Sequence, residues 1–115
     1  MENLCKLRDL QRAIARFEIS FEKEYGICFN EGMLLCSLAK NEKLSSGELS
    51  EILGLTCSNT SKVIASVEKK YLIHRVMGLE DKRQMYFSLT DKGLSLLGNI
   101  KCEYEDMPEL LKRVL

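Results

Sequence analysis

One histidine is present among the 115 residues, and G-x-S-x-G, H-E-x-x-H and glycine-rich phosphate loops are all missing. Common hydrolytic and nucleotide chemistries draw on those ingredients, so an enzyme is not expected. The five cysteines, Cys5, Cys28, Cys36, Cys57 and Cys102, contain no C-x-x-C pair, and none stands near His74. A structural zinc site wants four ligands at close paired spacing, so neither a metal nor another cofactor is expected. An odd set of thiols in a chain without an evident secretory leader reads as free. Charge-free runs fall far short of the roughly 20 apolar residues of a membrane helix. The opening MENLCKLRDLQR is charged and periodic where a signal peptide would carry an apolar core, so a cytoplasmic protein without a membrane partner is expected. Internal repeats, low-complexity tracts and interdomain linkers are also missing, which leaves residues 1–115 as a single domain.

What is present is a globular composition, 45% hydrophobic and 30% charged, with a net charge of zero. The charge is unevenly spread: residues 1–55 carry a net −2, residues 56–90 a net +3 and residues 91–115 a net −1. The middle stretch is therefore where an electrostatic footprint for nucleic acid is to be sought.

Leu7, Leu10, Ile14, Phe17 and Phe21 recur at steps of three and four, which predicts an amphipathic helix over about 3–25 ended by Gly26. A narrow seam of this kind suits packing on another long helix. From Asn30, read as an N-cap, the run Met33, Leu34, Leu35, Cys36, Leu38 and Ala39 is apolar nearly all round and predicts a central core helix ending near Asn41. Ser45 and Glu48 form a capping box for a third helix whose Leu49, Ile52 and Leu53 face inward before Gly54.

A fourth helix follows, with Thr60, Val63, Ile64 and Val67 on one face and Ser58, Asn59, Ser61, Lys62 and Lys69 on the others. Ser, Asn and Thr are poor interior helix residues because their side chains compete for the backbone, so their crowding in one turn asks for a reason beyond stability. Leu72–Met77 and Met85–Leu89 then read as strands around a charged turn from Gly78 to Arg83. Thr90 can cap a fifth helix bearing Leu94, Leu97, Ile100 and Tyr104. A last short one opens at Asp106-Met107-Pro108-Glu109 and carries Leu110, Leu111 and Val114.

Two short helices followed by a hairpin is the order of a winged helix-turn-helix, giving an α+β, mostly α fold with long terminal helices and a two- to three-stranded wing sheet. In that geometry one helix enters the major groove of DNA and a strand-to-strand turn reaches the neighbouring minor groove. The expected DNA-contacting set is Ser46, Ser58, Asn59, Ser61 and Lys62 with Lys82 and Arg83 of the turn. Asn and Ser suit base edges, and Lys suits guanine or phosphate.

Asp81 and Arg83 followed by Leu89, Thr90, Asp91, Lys92 and Gly93, together with LTCSNTSKVIASVEKKYLIHR, resemble the MarR family of dimeric winged-helix regulators over about 26–93. The resemblance implies that Arg83 enters the minor groove, that Asp81 holds that arginine or the wing in place, and that the fourth helix reads the major groove. It further implies a homodimer on double-stranded DNA, usually repressing, and released by a small-molecule effector. The dimerisation region would be 1–25 and 94–115, using Leu7, Leu10, Ile14, Phe17, Leu110, Leu111 and Val114. Three departures stand out: Tyr71 where glycine is usual, lysine at position 62 where arginine is common, and a short C-terminal region.

Two further readings stay open. The winged helix can serve protein interaction alone, and Cys57, at a helix N-terminus, or Cys5, in the helix where one peroxide-sensing branch of the family carries its cysteine, can serve as a redox thiol. An inert thiol is the simpler expectation for each. His74 reads most simply as a strand residue.

Overall fold

The computed structural model describes residues 1–78, 80, 83–100 and 109–113. They divide into two compact units, one of residues 1–29 with the described part of 100–115, the other of residues 30–99.

In the first unit, α1 runs from Glu2 to Tyr25 and ends where Gly26 turns left-handed and donates its N–H to the Glu22 carbonyl at 2.8 Å. Phe21 is buried in an aromatic cluster, with ring centroids 6.3 Å from Phe17, 4.9 Å from Tyr25 and 5.8 Å from Phe29. The rest of the expected seam is less covered: Leu10 and Phe17 are half-buried, while Leu7 is 58% and Ile14 40% exposed. Leu4 and Ile19 are exposed as well. Helix α6, Glu109–Lys112, lies against α1 with Leu110 and Leu111 half-buried. Val114, Tyr104 and the expected start of α6 at 106–108 lie outside the described residues.

The second unit is built on α2, Phe29–Lys40, whose Leu34, Leu35 and Leu38 are buried with Leu44, Leu49, Ile64, Val67, Leu72, Ile73 and Phe87. Two local expectations are corrected here. The helix starts at Phe29, so Asn30 sits inside its first turn rather than at the N-cap, and Met33 and Ala39 are exposed, so the apolar surface is not used all round. Helix α3, Ser46–Leu53, has the capping box: the Ser45 hydroxyl accepts from the Glu48 N–H at 3.2 Å and the Ser45 N–H donates to the Glu48 carboxylate at 3.0 Å. Leu49 is buried as expected, but Ile52 is half exposed, because an eight-residue helix buries a single narrow stripe.

Helix α4, Cys57–Lys69, buries Thr60, Ile64 and Val67. The strands are β1 (Leu44–Ser45), β2 (Ile73–Met77) and β3 (Met85–Leu89), antiparallel in the order β1-β3-β2. Two residues are too few to show a period in sequence, and β1 becomes a strand only through its pairing, Leu44 opposite Phe87 and Ser45 opposite Tyr86. The Ser88 hydroxyl, donating to the Glu42 carbonyl at 2.9 Å, anchors that edge. Helix α5, Asp91–Asn99, completes the unit, and its Leu94 is exposed.

Candidate nucleic-acid interface

The aim of α4 is set by the turn that precedes it. Gly54 adopts φ 67°, a left-handed conformation that glycine takes without steric cost, so the chain reverses within three residues. The Leu55 N–H donates to the Ser50 carbonyl at 3.2 Å, and the Ser50 hydroxyl donates to the Leu55 carbonyl at 2.7 Å. Thr56 caps α4 by accepting from the Asn59 N–H at 3.1 Å, and the buried Thr60 donates its hydroxyl to the Thr56 carbonyl at 2.8 Å. With Thr60, Ile64 and Val67 inward, Ser58, Ser61, Lys62, Ala65 and Lys69 form a continuous exposed stripe, with Asn59 exposed beside it. Ser46 is exposed at the first residue of α3.

This stripe is small-sided, rich in hydrogen-bonding groups and free of uncompensated acid. The single carboxylate of α4, Glu68, is held in two contacts by Arg75 of β2, from Nε at 2.7 Å and Nη2 at 3.2 Å. That hydrogen bond pulls the Glu68 carboxyl below its ordinary pKa and raises that of the Arg75 guanidinium. Lys70 is committed too: its ammonium donates at 2.9 Å to Glu31, a buried carboxylate of α2 that also accepts from the Ser66 hydroxyl at 2.9 Å. The sequence marks residues 56–90 as basic, but two of their cations neutralise carboxylates within the fold. On α4 this leaves Lys62 and Lys69. No spacing rule could find the Glu31–Lys70 pair, whose members are 39 residues apart.

The hairpin closes where the Gly78 N–H donates to the Gln84 carbonyl at 2.9 Å. Arg83 is exposed in the turn, and Asp81 and Lys82 lie outside the described residues. Lys43 sits 4.7 Å over the Tyr86 ring, and His74 is exposed. Cys5 and Cys57 are exposed free thiols. Among the described residues no group of His, Cys, Asp and Glu is arranged to hold a metal, and no helix is long and apolar enough to cross a membrane.

The family model described as MarR family matches residues 30–85, the segment from α2 to the start of β3. Over that segment the chain is similar to MarR-family proteins. It is 30% identical over 71 residues to the HTH-type transcriptional regulator SarZ of Staphylococcus epidermidis, a match covering 62% of this chain and 48% of that protein. It thus spans about half the length of that relative. The crystal structure of the YusO protein from Bacillus subtilis superposes with a TM-score of 0.67 at 25% identity, covering 84% of this chain and 69% of that one. A MarR variant from E. coli, solved with operator DNA, superposes with a TM-score of 0.73 at 17% identity, covering 84% and 71%, a likeness of fold.

In this chain the Leu89–Gly93 segment has a structural task that its sequence pattern does not disclose. Among the described residues Tyr71, at φ 62°, is the non-glycine residue in the left-handed region. The Leu72 N–H bonds to the Val67 carbonyl at 3.0 Å and the Tyr71 N–H to the Glu68 carbonyl at 3.0 Å, so the end of α4 is a Schellman turn with tyrosine at its left-handed position. Three consecutive carbonyls that follow α4 are then taken by this segment. Lys92 donates to Lys70 at 3.0 Å, the Thr90 hydroxyl to Tyr71 at 2.7 Å, and the Thr90 N–H to Leu72 at 3.1 Å. The same Thr90 oxygen accepts from the Gly93 N–H at 3.0 Å and caps α5. Gly93 lies so close that a Cβ there would sit 2.1 Å from the Leu72 carbonyl oxygen. The motif therefore clamps the junction between α4 and the wing.

Proposed function

We propose that the chain is a sequence-specific DNA-binding transcriptional regulator that works as a homodimer in the cytoplasm. Each α4 enters a major groove, with Ser58, Asn59, Ser61 and Lys62 toward base edges and phosphates and Ser46 on the backbone beside it. The wing follows the adjacent minor groove, where Arg83 is drawn by the negative potential, Lys82 adds charge and Asp81 orients the tip. The observation that carries this reading is the α4 stripe, whose small polar residues and lysines are exposed while its acid, Glu68, is tied to Arg75.

The dimer rests on α1, where exposed Leu4, Leu7 and Ile14 flank half-buried Leu10 and Phe17, and on Leu110, Leu111 and Val114 at the other end of the chain. A two-fold dimer occupies a pseudo-palindromic operator, represses from it, and is released by a small ligand that favours a different spacing of its two DNA-binding lobes.

Selection of fragments from a random DNA pool tests this directly. Enrichment of a two-fold-related site is expected. Arg83→Ala and Lys62→Ala should each weaken binding to the selected site and lower its salt slope by about 0.9, the loss of one neutralised phosphate. Recovery of no DNA at micromolar protein and low salt would leave a winged helix devoted to protein contacts.

A further inference from the structure

The wing carries a pair of apolar side chains that the fold leaves uncovered. Residues directly opposite in β2 and β3 share a sheet face, so Ile73–Leu89, Arg75–Phe87 and Met77–Met85 line one side of the hairpin. At its base this face is core, with Ile73 2% and Phe87 5% exposed; toward the turn it emerges into solvent, with Met85 38% and Met77 54% exposed. It is the face turned toward α4, because Arg75 on it reaches Glu68 of that helix. The bonds from Gly78 to Gln84 and from Thr90 to Leu72 set the alternation of the ladder. Met77 and Met85 accordingly form a non-hydrogen-bonded pair, where facing side chains come closest.

We infer that Met77 and Met85 form an apolar contact surface for the sugar edges of duplex DNA, lying between the α4 stripe and Arg83. The inference rests on the DNA-binding reading above and extends its interface along the wing. Continuity argues for this occupant: the pair shares a sheet face with Arg75, which meets α4, and sits on the two strand residues nearest the turn that bears Arg83. A long, unbranched thioether follows an irregular groove wall, and apolar side chains commonly accompany cations in minor-groove binding.

The test uses the DNA fragment selected by the unaltered protein and compares Met77→Thr/Met85→Thr with Met77→Leu/Met85→Leu by fluorescence anisotropy across a salt series. The threonine pair should bind about five- to thirty-fold more weakly with an unchanged salt slope, because apolar area and no cation is lost. The leucine pair should keep near-parental affinity. Threonine suits strands, and each single variant, with a thermal melt, guards against loss of fold. Parental affinity in the threonine pair overturns the inference and leaves the DNA-binding reading intact. A lowered salt slope overturns it as well, since the methionines would then be acting by placing Arg83. If the unaltered protein selects no fragment, the DNA-binding reading falls and this inference falls with it.

Discussion

The Thr90 hydroxyl donates at 2.7 Å to the carbonyl of Tyr71, a tyrosine held at φ 62°, while its oxygen accepts from the Gly93 N–H. One side chain thus secures the end of α4 and the start of α5, the two helices on either side of the wing. Thr90→Val keeps the shape and removes both bonds. It should cost about 1–3 kcal/mol in urea unfolding, and Thr90→Ser should recover most of that.

Tyr71 bears a left-handed conformation that costs an L-residue about 1 kcal/mol relative to glycine. The Lys92 ammonium, 6.0 Å from the Tyr71 ring centroid, supplies little in return at so exposed a site. Tyr71→Gly should therefore be more stable than Tyr71→Ala by about 1 kcal/mol, measured by chemical denaturation of the two variants. Equal stability would mean that the turn relaxes when the ring is removed.

Two glycines of α5 should respond oppositely to the same change. A methyl at Gly93 would meet the Leu72 carbonyl oxygen, backbone that cannot turn aside, so Gly93→Ala should lose about 3 kcal/mol or more. Among the described residues nothing beyond the neighbouring backbone of α5 would lie within 4 Å of a Cβ at Gly98, and Gly98→Ala should be neutral or gain up to about 1 kcal/mol in helix propensity. Thermal melts of the pair check both.

Glu31 is buried and accepts from both Ser66 and Lys70, tying α2 to the end of α4. Glu31→Ala leaves the Lys70 ammonium without that carboxylate. Because Lys70 is 40% exposed and can turn to water, the loss should be about 1–3 kcal/mol, below that of a fully buried pair. Glu31→Gln, which still accepts hydrogen bonds, should lose less.

Glu68 makes a small, pH-dependent contribution. Its pKa is lowered in the folded state by the Arg75 hydrogen bond, so the stabilisation is present above the ordinary carboxyl pKa of 4.5 and fades as pH falls through the lowered value. The pair is exposed and screened by solvent, so the effect is small. Melting temperatures of the parent and Glu68→Gln should differ near neutral pH and converge in acid. A gap that persists in acid would exclude the ion pair as its source.

The helices, the capping box and the hairpin were legible in the residues because each is set by neighbours within one or two turns of chain. Periodicity marks α1 and α4, and a nearly continuous apolar run marks α2. Ser45 with Glu48, Gly54 and Thr90 mark ends that the fold then uses. The polar face of α4 was legible for the same reason, since the inward set Thr60, Ile64 and Val67 leaves the others outside. Asn30 is not the cap, because the helix begins at Phe29, two residues before the start that a cap at Asn30 implies.

By itself, then, the sequence determined which stretches become helix or strand and which side chains α4 presents. Tertiary structure alone decided which charges those faces keep, since Lys70 and Arg75 are neutralised by carboxylates in contacts that sequence spacing does not reveal. It also decided that Leu44–Ser45 is a strand, that Tyr71 is held left-handed and that Gly93 admits no side chain. The physical reason is range: propensity and capping act between near neighbours, whereas Lys70 with Glu31, Thr90 with Tyr71 and Ser88 with Glu42 join residues 19 to 46 apart, and such contacts exist only once the chain has folded.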